Sequence, residues 1–268
     1  MKRQFTKFFL ACSALLLALS LTPVAFGQAK KPAAKAKMAA PAAAPRTLLR
    51  ITFLRLKSGM NAEWREFRIN ESMPMYRKAG TKEQTVSAMT QFGETGYLIV
   101  SPIESLAGLD GPGAAVRALG QEGANAYNAK NARFIESTHA IALETRPELS
   151  MPPAPGYQTK LFVVTTTTVA PGHDEEYENL VRTSVLPAMK KSAPKGYLLG
   201  RVAYGGTTNQ YMSAVFVDSW ADLQRYREAF AKESAAARLG PKSAGIVTGR
   251  ENAVYRFIPE LSIVSAGQ

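Results

Sequence analysis

Thiols and imidazoles are scarce in this chain: one cysteine, Cys12, and two histidines, His139 and His173, among 268 residues. A lone cysteine excludes a disulfide framework and a cysteine-ligated zinc site. Two histidines far apart, with no regular carboxylate pattern beside them, do not make a metal centre, and no metal is expected. Long apolar runs are equally scarce. Outside Phe8 to Leu21 nothing approaches the roughly 20 residues that a membrane-spanning helix needs, and that run is itself too short. The chain also has no glycine-rich phosphate loop, no Gly-x-Ser-x-Gly elbow and no His-Glu-x-x-His helix, so no familiar catalytic string announces a reaction.

The N-terminus does carry information. Lys2, Arg3 and Lys7 precede the apolar run, and small residues close it around Ala25-Phe26-Gly27-Gln28-Ala29, the pattern of a secretory signal peptide over residues 1–29. Cleavage is expected after Gly27 or Ala29, and the mature protein is expected in the periplasm or secreted. Cys12 lies too early in the run for a lipoprotein cut, so the mature chain has no thiol and no cysteine nucleophile. Residues 30–46 are almost wholly Lys, Pro and Ala, a composition that cannot bury an apolar face and reads as a disordered tail. Of the net charge of +12, the first 29 residues hold +3 and the tail +5, leaving +4 on the body. With no basic and aromatic cluster on the body, nucleic acid is not an expected partner. Weak contact of the basic tail with anionic envelope polymers is the one electrostatic role left.

Compared with itself, the body repeats at a spacing of about 113 residues. Gly59-Met60-Asn61-Ala62-Glu63-Trp64 aligns with Gly172-His173-Asp174-Glu175-Glu176-Tyr177, Met73-Pro74 with Leu186-Pro187, and Phe92-Gly93 with Tyr204-Gly205. Tyr97 aligns with Tyr211, Ser105 and Leu109 with Ser219 and Leu223, and Pro147-Glu148-Leu149-Ser150 with Pro259-Glu260-Leu261-Ser262.

Each half has the same order of elements. Leu48 to Leu56 and Lys160 to Val169 are β-branched, apolar runs and are expected as strands. A helix follows each, with Asp174 as the expected cap in the second half, and Met73-Pro74 and Leu186-Pro187 expected to kink or shorten these helices. Hairpins come next, Glu83 to Phe92 with Tyr97 to Ile103, and Gly196 to Tyr204 with Gln210 to Asp218. Ser219-Trp220-Ala221-Asp222 is a capping box leading an amphipathic helix, whereas its counterpart from Ser105 is broken by Gly108, Gly111, Pro112 and Gly113. Thr138 to Arg146 and Ala253 to Phe257 are the closing strands. The expected organisation is a βαββαβ unit over 47–150, a Pro/Gly-rich linker over 151–158 and a second unit over 159–264.

A repeated β-α-β-β-α-β order is the ferredoxin-like topology in duplicate, an α+β fold whose two sheets can pack together as one barrel. On this order and the Pro171-Gly172-x-x-x-x-Tyr177 helix entry, the chain resembles the dimeric α/β-barrel superfamily, with its antibiotic-monooxygenase-like, NIPSNAP-like, EthD-like and chlorite-dismutase-like members. The resemblance implies a barrel usually built by two chains, here a pseudo-dimeric one built by a single chain, which itself is monomeric or homodimeric.

Strand alternation offers Arg50, His139, Arg201, Tyr204 and Arg256 as residues lining a barrel cavity. His139 has a second reading, as a hydrogen-bonded strand-end histidine, and His173 beside Asp174, Glu175 and Glu176 reads as helix-start chemistry. Trp64, Tyr177, Trp220, Tyr226 and Phe230 read as core. The expectation is an exported barrel binding a small anionic or aromatic molecule without a required cofactor. The alternatives are a cofactor-free oxygenase or isomerase with His139 as base, a haem protein with His139 or His173 on iron, and a non-catalytic envelope scaffold.

Overall fold

The computed structural model describes residues 45–92 and 96–264. The expected signal peptide and residues 30–44 of the expected tail lie outside the described residues. No described helix is long and apolar enough to cross a membrane.

The fold is α+β, with its strands in a closed, wholly antiparallel barrel. The strands are β1 (Leu48–Leu56), β2 (Thr85–Met89), β3 (Gly96–Ile103), β4 (Ile135–Thr145), β5 (Leu161–Val169), β6 (Gly196–Tyr204), β7 (Gln210–Val217) and β8 (Val247–Phe257). They run around the ring as β1-β3-β2-β8-β5-β7-β6-β4. The first four strands therefore lie together, as do the last four, and the two sets join where β2 meets β8 and β4 meets β6. Inward residues such as Ile51, Leu98, Ile141, Phe162, Met212 and Tyr255 form one apolar cluster. An eight-stranded barrel is narrow enough for side chains to fill it, and here they do.

Helices lie against the outside. In the first half these are α1 (Asn61–Phe67), a π-helical turn at Arg68–Ser72, α2 (Met73–Lys78) and α3 (Ala114–Ala132). In the second they are α4 (Asp174–Leu180), a π-helical turn at Val181–Val185, α5 (Leu186–Ser192), α6 (Trp220–Ala236) and α7 (Leu239–Ser243). Pro74 and Pro187 have no N–H to give and would crowd the carbonyl four residues earlier. The wider turn ahead of each relieves that crowding without ending the helix, so the expected kink is resolved as a π turn.

Two expectations are corrected. His173, not Asp174, is the N-cap of α4, with no side-chain capping bond, and Asp174 is the first helical residue. The glycine-rich stretch after Ser105 does not abolish the helix of the first half. It delays it: a short 3₁₀ turn at Ala107–Leu109 precedes the long α3, itself interrupted at Gly120, whose φ of 71° is left-handed. Its counterpart α6 starts where the capping box predicts, with the Ser219 hydroxyl accepting from Asp222 N–H at 3.1 Å.

Contacts recur between the halves. Trp64 packs on Tyr97 with ring centroids 4.3 Å apart, and Tyr177 on Tyr211 at 4.6 Å. Both Pro-Glu-Leu-Ser strings form 3₁₀ turns, and each serves the opposite half. Leu149 enters the core around Tyr177 and Tyr211, and the Ser150 hydroxyl accepts from Leu199 N–H at 3.0 Å. Leu261 enters the core around Trp64 and Tyr97, and the Ser262 hydroxyl accepts from Val86 N–H at 2.8 Å. Both leucines are fully buried.

Candidate functional site

The outer face of the first-half strands and its helices do not close on each other. Between them lies a cavity of about 820 Å³, lined by Arg50, Thr52 and Leu54 of β1, Ile99 and Ser101 of β3, Trp64, Arg68, Ser72 and Tyr76 of the α1–α2 helix, and Tyr127 of α3. In the second half the corresponding layer is filled. There Tyr177, Val181, Met189, Tyr197, Tyr211 and Val215 pack together, and Tyr226 and Phe230 of α6 press onto them. The first half lacks this filling because α3, rich in alanine and glycine, starts late. Its buried residues, Ala118, Ala124 and Tyr127, include two that present only a methyl group.

Arg68 is the chemically distinctive residue of this cavity. It is only 3% exposed. Its Nε donates to the Leu261 carbonyl at 3.1 Å and its Nη2 to Gln84 Oε1 at 2.5 Å. Gln84 Nε2 in turn donates to Ser101 Oγ at 3.3 Å. The guanidinium also lies 5.3 Å from the centre of the Tyr76 ring, within reach of a cation–π contact. Among the described residues it has no carboxylate partner. Burial pulls its pKa down, with Tyr76 opposing, yet an arginine stays cationic at neutral pH. A buried cation without a counter-ion is costly, and such a group usually marks a place where an anion is received.

The neighbouring polar groups are already committed. Tyr127 Oη donates to Ser72 Oγ at 2.9 Å, and burial pushes its phenol up to about 12. Arg117 holds the rim, with Nη1 donating to the Pro112 carbonyl at 2.7 Å. Lys82 pairs with Glu104 at 2.8 Å at the mouth, and both are highly exposed.

The five residues expected from strand alternation do not converge. Arg50 is exposed and lines this cavity. Arg201 faces the helices, where its Nη2 meets Asp174 at 2.9 Å and its guanidinium lies over Tyr211 at 5.8 Å. Arg256 is exposed and paired in register with Leu161, on the outer face. His139 is on the inner face, exposed, its ring stacked at 6.2 Å from Phe53. Tyr204 is 58% exposed beside the bulge between β4 and β6. His173 pairs with Glu176 at 2.7 Å, as helix-start chemistry implies.

Arg68 itself was not anticipated, although a signal was present. Trp64, Arg68 and Ser72 fall at four-residue steps on the face that Trp64 buries, with Met75 next, so the arginine sits where a core residue belongs. The second half has Val181 at that place.

The cavity lining holds no histidine, cysteine or methionine, and neither histidine of the chain is among its lining residues. Burial holds the Tyr127 phenol protonated. The wall therefore offers no histidine, cysteine or methionine to ligate haem iron. Among the described residues no group of three or more His, Cys, Asp or Glu side chains could hold a metal ion.

No protein-family model matches the chain, and no curated protein matches it. Solved structures do resemble it in fold. A candidate monooxygenase from Fusobacterium nucleatum is 13% identical, with a TM-score of 0.53 over 78% of this chain and 91% of that one. A candidate monooxygenase from Lactobacillus acidophilus is 13% identical, with a TM-score of 0.52 over 82% and 97%. A variant chlorite dismutase from Candidatus Nitrospira defluvii is 8% identical, with a TM-score of 0.51 over 80% and 92%. At such identities the likeness is one of fold: the chain has the dimeric α/β-barrel fold that its sequence resembles.

Proposed function

We propose that this protein binds a small anionic molecule between the first-half strands and helices, with Arg68 as the anchor. The observation that carries the reading is a buried guanidinium without a carboxylate partner on the wall of an 820 Å³ cavity. Pockets of roughly 300–1,000 Å³ with a few placed polar groups are the usual dimensions of small-molecule sites. The second half supports the reading by contrast, since with valine in place of the arginine the same layer packs shut. Native mass spectrometry of the mature protein from its own host tests it. Extra mass that leaves on denaturation, and that Ser101→Trp eliminates by filling the cavity, is the expected result. Extra mass retained by a folded Ser101→Trp protein would put the ligand elsewhere.

The tandem ferredoxin-like organisation draws on the element order and on the ring pairs and Pro-Glu-Leu-Ser turns that recur at the sequence spacing. Export to the periplasm or beyond, and weak contact of the tail with an anionic envelope, draw on the N-terminal sequence alone. The oxygenase alternative draws on solved structures of similar fold described as candidate monooxygenases, the isomerase alternative on fold analogy alone, and His139, their proposed base, is not among the residues lining the cavity.

A further inference from the structure

Resting on the reading of this cavity as an anion site, we infer that its ligand class is a monocarboxylate carried on a flat apolar body. The first argument is geometric. A guanidinium has five N–H donors in a planar fork, and the bonds to Leu261 and Gln84 use one from Nε and one from Nη2, which share one edge of the fork. The edge formed by Nη1 and the second Nη2 hydrogen is left, and it has the two-pronged spacing that a carboxylate accepts with both oxygens. Because its other edge is tied to two different parts of the chain, the fork is held in place before any ligand arrives.

The second argument is one of charge. Arg68 is the only buried cation among the cavity's lining residues. Lys82 is paired with Glu104 at the exposed mouth, Arg117 donates to backbone carbonyls, and Arg50 is exposed. One buried positive charge neutralises one negative charge. A phosphate dianion or a dicarboxylate would leave a second charge unpaired in a low-dielectric space, which is strongly unfavourable. The third argument is the rest of the lining. Leu54, Trp64, Ile99 and Ile135, with the rings of Tyr76 and Tyr127, offer apolar and aromatic surface suited to a flat body.

Titration calorimetry on the full mature chain tests this with three probes of one shape: naphthoate, naphthamide and a naphthalene dicarboxylate. Naphthoate is expected to bind at least about tenfold more tightly than either of the others, the scale of a charge-assisted hydrogen-bonded pair. In Arg68→Met that preference is expected to vanish while naphthamide binding persists. Should the variant not fold, the wild-type panel decides alone. Equal or tighter binding of the amide overturns the carboxylate class but leaves the cavity as a binding site. Preference for the dicarboxylate overturns the single-charge argument. No binding of any probe at about 1 mM overturns this inference and the cavity reading together.

Discussion

Arg68 and Val181 each open a π-helical turn that runs into an X-Pro step, and both are buried, yet one is a cation and the other a methyl-bearing core residue. The same backbone device thus places an anchor in one half and a plug in the other. Relieving the desolvated charge and losing its hydrogen bonds act in opposite directions. Arg68→Met should therefore change the unfolding free energy by less than about 2 kcal/mol. Urea denaturation measures this, and a loss of about 4 kcal/mol or more would make Arg68 a structural residue.

Leu149 and Leu261 each fill a cavity in the half to which they do not belong. Leu149→Ala and Leu261→Ala should each cost about 2–5 kcal/mol. The corresponding hydroxyl deletions, Ser150→Ala and Ser262→Ala, should cost about 1–3 kcal/mol by leaving a buried N–H unpaired. Expressed alone, residues 47–150 or 159–264 should give no cooperative thermal transition, and the two fragments mixed should regain one.

At the seam between β4 and β6, Gly205 adopts a left-handed φ of +79°, and a Cβ there would lie 2.4 Å from the Ala140 carbonyl oxygen. A side chain there meets both strain and backbone. Gly200, five residues earlier in β6, would put a Cβ 2.6 Å from Leu143 Cγ. Gly205→Ala should destabilise the protein by at least about 2 kcal/mol. An unchanged melting temperature would show that the seam can move apart.

Burial pushes the phenols of Tyr127 and Tyr255 up to about 12. Because each folded pKa exceeds the unfolded value near 10, their contribution is complete below about pH 10 and is lost as pH rises toward 12. Each accounts for about 2–3 kcal/mol over that window. Phenolate absorbance and ellipticity should change together in an alkaline titration, and Tyr127→Phe should reduce the loss. Phenolate appearing with the fold intact would contradict the burial argument.

Much of the fold was legible because it depends on patterns that the chain repeats. Strands β1 and β6 match their expected bounds residue for residue. The capping box places the start of α6 because the Ser219 hydroxyl acts within three residues. The late start of α3 was not legible, since glycine and proline mark where a helix stops but not where an alanine-rich one resumes. Of the five residues expected from strand alternation, Arg50 lines the cavity and the other four do not. Strand alternation says that successive residues face opposite ways, not which way is outward, so Arg201 and Arg256 were expected in a cavity and lie on the helix side. Arg68 was readable from its helical spacing, but a charge on a buried face acquires meaning only once the opposite wall is known to be missing.

The ring of strands closes within one chain, without a free strand edge. A barrel completed by a second chain comes apart on dilution, because half of its closure is an association. Here the partner sheet is tethered by a short linker, so closure is unimolecular and its midpoint should not depend on protein concentration. A protein diluted into a large volume would keep its two sets of strands as firmly paired as one at high concentration.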